Sequence, residues 1–445
     1  MPVRRGQPAR LQRPGCGKLD QVFLGILPGW AALAACLALP SLAAAQAPAP
    51  AAPLVTPPVA TPAPPPPHDR VDVADLVRKL FKKKPPPPEE VAQDNVMSVV
   101  SPIIGAKPST GAVVGVAGNV AFFLGGRETT SISSVVGALT FSTRSQTSLT
   151  AHGTVFGGDD RWRLEVDDRA QWTSLETPGL GMPPPLDPEL VKFDFIRLHH
   201  IGYMKVWKHL YAGAGFHYDR HADIGPDKGG EARWERSPFI DYSRATGLPL
   251  TAQTAAGPSA ELIWDSRDSA IDPREGWMAR ANYRVLVDGL LGGDTGWEKL
   301  NLDVRAYRGL SKDRRHRLGV WGYGDFVTGG TAPYFQLPST GSDAYGRSGR
   351  GYAEGHFRGE RLAFLEVEYR GPLTDNGLLG MVAFANITSV ASRMMQQELF
   401  DRWAPGVGVG LRLKVNKHSR TNLAFDIGFG ERGNRGIYLA VQEAF

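Results

Sequence analysis

Arg350 has the most chemistry within reach. It stands in a Gly-rich stretch, Gly349-Arg350-Gly351-Tyr352-Ala353-Glu354-Gly355-His356-Phe357-Arg358-Gly359, just ahead of a segment that alternates apolar and charged residues. On one face of that segment lie Glu366, Glu368 and Arg370. A guanidinium presents its donors in a planar fork and prefers a bidentate carboxylate. Glycines at 349, 351 and 355 let the loop turn tightly and approach a wall. The chemistry this implies is an ion pair that folds a loop back against charge, not bond making. The sequence has no His-Glu-x-x-His, no phosphate loop and no Gly-x-Ser-x-Gly. His199-His200 is the only adjacent histidine pair, and neighbours on a strand face opposite sides, so the two cannot chelate one metal. No catalytic residue, metal site or cofactor is assigned, and the protein is not expected to be an enzyme.

The elements that position Arg350 must come from the remaining chain. Residues 1–45 read as an export signal: Arg4, Arg5, Arg10, Arg13 and Lys18, then a mostly apolar run from Val22 to Leu39, then Ala43-Ala44-Ala45-Gln46. An uncleaved membrane helix is the rival, but Pro28, Gly29 and Pro40 interrupt the run. Leu33-Ala34-Ala35-Cys36 also looks like a lipobox, a pattern that arises easily in an Ala-rich signal. Cys16 and Cys36 are the only cysteines, so cleavage after Ala45 leaves neither a disulfide nor a thiolate site. The formal net charge of +5 falls when the signal leaves, which argues against a nucleic-acid partner.

Residues 46–95 read as a Pro-rich periplasmic linker with one short helix. Val73, Leu76, Val77, Leu80 and Phe81 fall at helical spacing, Arg78, Lys79, Lys82, Lys83 and Lys84 gather at its end, and Pro85 to Pro88 stop it. So short a helix is marginal alone. The reading preferred is a helix in a periplasmic arm, against a basic amphipathic helix resting on anionic lipid or entering a barrel mouth.

From residue 96 to 445 the pattern becomes period-two alternation. It is clearest in Val114–Phe122, Lys299–Tyr307, Val407–Val415 and Asn422–Phe429. A soluble sandwich would alternate too. Here, however, charges of both signs occupy consecutive positions on the polar faces, and short and long connections alternate. Asp268 to Gly276 is compact, whereas Arg220–Thr254 and Gly329–Arg358 are long. The fold class expected is all-β, a transmembrane antiparallel barrel of about 16 strands. Ile437, Leu439 and Val441 point one way, Phe445 ends the chain in the same phase, and Glu443 breaks that face near the membrane edge. Trp162, Trp264, Trp277, Trp297 and Trp403 read as an interfacial girdle.

Five short pieces in order resemble the outer-membrane protein 85 (Omp85) superfamily, the bacterial surface antigen barrels. They are Asp265-Ser266-Arg267-Asp268 with Pro273 and Gly276; Arg350-Gly351-Tyr352; Phe357-Arg358-Gly359 with Glu368-Tyr369-Arg370; Gly408, Gly410, Leu411 and Arg412; and Asp426 with Gly428. The resemblance extends over most of Ser98 to Phe445. It implies that the sixth extracellular loop tucks into the lumen, where its Arg pairs with carboxylates of the wall. The family's Phe-x-Asp-x-Gly strand reads here Phe384-Ala385-Asn386-Ile387-Thr388, so the usual Asp is absent. Asp426 is then the first candidate partner of Arg350, with Glu366 and Glu368 next and Asn386 an uncharged acceptor. Asp265, Arg267, Asp268, Pro273 and Gly276 form a structural turn, and an aromatic end like Phe445 is the mark by which the assembly machinery receives such barrels. Assembly members carry periplasmic POTRA domains, for which the arm before residue 96 leaves no room.

The function expected is outer-membrane biogenesis or translocation of protein or lipid; the alternatives are a gated or passive pore and a barrel enzyme acting on lipid. The partners expected are outer-membrane lipid, the assembly machinery during insertion, and a separate periplasmic protein.

Overall fold

Alternating segments become strands here because only every second side chain has to tolerate the surroundings of each face. The computed structural model describes residues 71–81, 96–107, 111–126, 128–183, 189–227, 233–270, 272–344, 346–417, 420–441, 443 and 445. The signal, the lipobox cysteine, the Ala/Pro tract and the Lys82–Pro88 run lie outside the described residues.

Sixteen strands follow one another: β1 (Val96–Lys107), β2 (Gly111–Phe122), β3 (Ser133–Ser142), β4 (Thr147–Gly157), β5 (Trp162–Thr177), β6 (Glu189–Trp207), β7 (Leu210–Pro226) and β8 (Gln253–Asp265). The second half comprises β9 (Gly276–Leu286), β10 (Trp297–Gly309), β11 (Arg317–Gly330), β12 (Arg361–Pro372), β13 (Leu379–Ala391), β14 (Ala404–Asn416), β15 (Thr421–Gly430) and β16 (Arg435–Val441). Each is antiparallel to the next, in one sheet whose strand order is the order of the chain. The first and last strands lie side by side, yet no ladder joins β1 to β16 among the described residues.

The faces are inverted relative to a soluble protein. On β12, Glu366, Glu368 and Arg370 are buried, while Leu365 and Val367, on the alternate positions, are 44% and 40% exposed. On β14, Val407, Val409 and Leu411 are exposed and Arg412 and Lys414 are buried. On β10, Leu302 and Val304 are exposed against buried Asp303 and Arg305. A charged interior beneath an apolar exterior is the arrangement a bilayer selects, with lipid outside and a polar lumen within. The soluble-sandwich alternative would need the reverse.

Connections alternate as a bacterial barrel requires. β6 and β7 are joined by Lys208-His209 alone, at the end where Trp162 and Trp277 are exposed and Trp264 stacks on Trp277 with ring centroids 5.5 Å apart. At the long-loop end, residues 227–252 contain a helix, and residues 331–360 form the longest connection between strands. Trp297 departs from the girdle reading. It begins β10 at that long-loop end, is 4% exposed, and joins a core with Phe239, Ile240, Tyr334 and Leu337.

Two helices stand out. α1 (Val73–Leu80) carries a full capping box: Asp72 Oδ1 accepts from Asp75 N at 2.9 Å, and Asp75 Oδ2 accepts from Asp72 N at 3.2 Å. It is also tied to the barrel rim, through Val71 N to Asn376 O at 3.3 Å, Lys417 N to Asp72 Oδ2 at 3.1 Å and Lys417 Nζ to Asp75 Oδ2 at 2.7 Å. α2 (Pro238–Thr246) starts at Ser237, whose hydroxyl accepts from Ile240 N, and stops at Gly247 in the left-handed region. Its buried Phe239, Ile240 and Tyr242 pack on Tyr334 of the β11–β12 loop.

Candidate functional site

The β11–β12 loop is held by hydrogen bonds of its own as well as by the wall. Asp343 Oδ1 accepts from Arg347 N (2.8 Å) and Ser348 N (2.6 Å), Thr340 Oγ1 donates to Ala353 O (3.0 Å), and Tyr352 N donates to Gly349 O (3.0 Å). These bonds fix the backbone on either side of Arg350, which has no measurable exposure.

The Arg350 guanidinium lies among three inner-face carboxylates. Its Nε donates to Glu366 Oε2 at 3.1 Å and its Nη2 to Glu366 Oε1, so the planar fork is on Glu366. Nη2 also reaches Glu368 Oε2, and Nη1 donates to Asp426 Oδ2 at 2.9 Å. The ring of Phe384 supports the guanidinium carbon from one face at 3.7 Å. All four ionic side chains are 0–1% exposed. Burial alone would loosen the Arg350 proton, but the three carboxylates around it outweigh that and hold it more firmly than in an exposed guanidinium.

The network extends beyond Arg350. Arg412 Nη1 donates to Asp426 Oδ1 at 2.5 Å and Arg412 Nε to Glu443 Oε2 at 2.6 Å. Arg370 Nε donates to Glu368 Oε1 at 2.6 Å, and Arg370 Nη2 to Phe445 O at 2.7 Å. Strands β12 and β15 and the chain end are thereby tied to one loop residue. Each buried charge has a partner, which burial at this depth demands.

Two further contacts seat the segment after Arg350. Gly351 N donates to the Tyr438 hydroxyl of β16 at 3.0 Å, and that hydroxyl donates to Tyr352 O at 3.1 Å. Tyr352 OH donates to Pro405 O at 2.6 Å and accepts from Glu431 N at 3.0 Å. Gly351 adopts φ +113°, and its backbone lies on β15 so closely that a Cβ at Gly428 would sit 2.7 Å from Gly351 N. Gly410 faces Asp426 across the β14–β15 ladder, where a Cβ would fall 1.9 Å from Asp426 Oδ1.

Asp426, Glu366 and Glu368 all contact Arg350, but the bidentate partner is Glu366 rather than Asp426. Alternation places both on the inner face and cannot rank them, because the ranking depends on where the loop enters. Asn386 is a donor, not an acceptor: its Nδ2 reaches Arg350 O at 2.9 Å and Glu366 Oε2 at 3.1 Å. Phe445 and Glu443 correct the reading of the chain end. β16 stops at Val441, and the two described residues beyond it, Glu443 and Phe445, do not carry on the phase of Ile437 and Leu439. Phe445 is buried beside Trp321, with centroids 5.4 Å apart, and Glu443 joins Arg412 instead of resting at the lipid edge. The two histidines part as alternation requires: His199 Nε2 bonds Asp219 Oδ2 at 2.8 Å, and His200 Nε2 bonds Asp168 Oδ1 at 3.0 Å.

The β8–β9 turn is a rigid corner. Arg267 pairs with Asp265 in bidentate fashion (2.8 and 2.7 Å), Asp268 Oδ1 accepts from Arg274 N at 2.7 Å and Glu275 N at 3.2 Å, Pro273 is buried, and Gly276 opens β9 at φ +92°. Arg420, from the β14–β15 turn, adds an ion pair to Asp268 at 3.2 Å. Asp268→Ala removes an acceptor from two backbone N–H groups and is expected to cost about 1–3 kcal/mol. The check is the temperature at which the folded band disappears on unheated gels; an unchanged midpoint would show the corner to be dispensable.

Sequence reasoning missed α2 and its packing on the loop. The signal was present in Ser237-Pro238 at one end and Gly247 at the other, a cap, a first-turn proline and a stop.

The Omp85 superfamily domain matches residues 212–440, just over half of the chain, from β7 to β16 and including the Arg350 loop. The chain belongs to the Omp85 superfamily and is an outer-membrane β-barrel. Among solved structures it is similar to BamA from Haemophilus ducreyi lacking POTRA domains 1–3, at 13% identity and TM-score 0.49, over 77% of this chain and 68% of that one. It is also similar to CdiB from Acinetobacter baumannii, at 10% identity and TM-score 0.50, over 79% of this chain and 60% of that one. The chain thus spans less than two thirds of the CdiB it matches, and at such identity the likeness concerns fold alone. No curated protein matches the chain.

Proposed function

We propose that the protein acts in outer-membrane biogenesis or translocation, passing protein or lipid through a barrel whose first and last strands can separate. The observation that carries this is the seam. Fifteen neighbouring strand pairs are joined by ladders, whereas β1 and β16 only lie beside each other among the described residues. β16 is also short, seven residues against twelve in β1. Unladdered strands leave backbone donors and acceptors open to another strand or to a lipid headgroup, and in a bilayer such groups seek partners strongly.

Within this reading the β11–β12 loop is a plug in the lumen, latched by Arg350. The latch joins loop, β12, β15 and, through Tyr438, β16, so a movement of the seam and a movement of the plug are mechanically linked. Membership of the Omp85 superfamily, shown over residues 212–440, supports biogenesis or translocation over a passive pore.

Cysteine pairs placed along β1 and β16 test the seam. Oxidised, they are expected to abolish the protein's ability to restore normal outer-membrane protein and lipid profiles in a depleted strain, with reductant restoring it. Full function with the seam locked would overturn the proposal.

A further inference from the structure

α1 is attached to the barrel by its polar side, which is unusual for an amphipathic helix. At 100° per residue, Val73, Leu76, Val77, Leu80 and Phe81 form one stripe, and Asp75, Arg78 and Lys79 lie opposite. A helix resting on a soluble protein buries the apolar stripe. Here the bonds to the rim run through Asp72 and Asp75, to Lys417 on the β14–β15 turn, while Val71 holds Asn376 on the β12–β13 turn. The apolar stripe faces away: Leu76, Val77, Leu80 and Phe81 are 44%, 47%, 77% and 66% exposed.

This is the inversion seen in the strands, and the same solvent explains both. The two rim turns that hold α1 belong to the short-connection end, where Leu373 and Leu379 are also exposed at the ends of β12 and β13. We propose that α1 stands at the level where the acyl region of the periplasmic leaflet meets its headgroups, with Leu76, Leu80 and Phe81 among acyl chains and Lys79, beside Arg78, at the phosphates of anionic phospholipid. Charge and shape agree: Lys79 is exposed on the polar side, Arg78 stands beside it paired with Asp75 at 2.9 Å, and basic side chains reach headgroups while their stems cover apolar surface. The rim anchor supplies what eight residues lack alone, since the cost of starting a helix is met by the capping box and the Lys417 pair. α1 would then fix the depth and tilt of the barrel on its β12–β15 side, whatever the barrel transports.

A nitroxide at Leu80→Cys in the full chain, with Cys16 and Cys36 replaced by serine where the signal is retained, tests this in vesicles of phosphatidylcholine with phosphatidylglycerol. Oxygen is expected to broaden the signal while a water-soluble nickel chelate does not, and the same label at Lys79→Cys should respond to nickel. Lys79→Glu should move the Leu80 label to shallower depth in the mixed vesicles and leave it unmoved in phosphatidylcholine alone. Free access of nickel to the Leu80 label would overturn the proposal by placing the stripe in water. Shielding from both reagents would overturn it in favour of a protein cover, and equal depth in the two lipids would remove the anionic component. Heat-modifiable gel mobility confirms in each case that the barrel is folded.

Discussion

Arg350→Ala is expected to weaken the barrel by about 3–5 kcal/mol locally, the usual consequence of removing one member of a buried ionic group. The effect is large because three carboxylates lose a shared partner at once. Glu368 and Asp426 keep Arg370 and Arg412, but Glu366 keeps only the Asn386 amide. A buried Glu366 with no bonded cation is left with an uncompensated charge, and relieving that charge frees the loop. Protease cleavage within residues 331–360 and a lowered midpoint of the folded gel band are the measurements. Arg350→Lys should recover little, because a single ammonium cannot hold Glu366 in a fork while reaching Glu368 and Asp426. Full recovery by lysine would show that charge alone matters and that the geometry does not.

The second large effect is expected at a residue without a side chain. Gly410→Val places a Cβ where Asp426 Oδ1 now sits, 1.9 Å away, and two methyl groups beyond it. Asp426 must swing from Arg350 and Arg412 together, so the loss should approach that of Arg350→Ala, although Arg350 itself is untouched. Because both act through one network, the double variant should be barely worse than either single one. Additive losses would show that Gly410 matters for strand packing and not for the ion pair. The closing-strand glycine of the family pattern thus has a physical account here: it leaves room for the carboxylate that meets the loop.

Much of the architecture was legible because the barrel obeys a local rule. A bilayer outside and charge inside impose alternation on each strand separately, so β2, β10, β14 and β15 could be read from their own residues. The Arg350 site was legible in part for the same reason, since alternation put Glu366, Glu368 and Asp426 on the inner face. Which carboxylate takes the fork was not, because that depends on the height at which a thirty-residue loop meets the wall, a non-local quantity. The chain end failed for a different reason. Alternation holds only as far as Val441, where the strand ends, and beyond it Phe445 packs beside Trp321 while Glu443 bonds Arg412. The spacing predicts α1, but its rim contacts with Asn376 and Lys417 lie some three hundred residues away in sequence and leave no local trace.

Planar-bilayer recording of the wild-type barrel beside Arg350→Ala tests the plugged, latched barrel most directly. Small, irregular conductance is predicted for the wild type, and larger, steadier openings for the variant. Large steady channels of equal size in both would contradict the account.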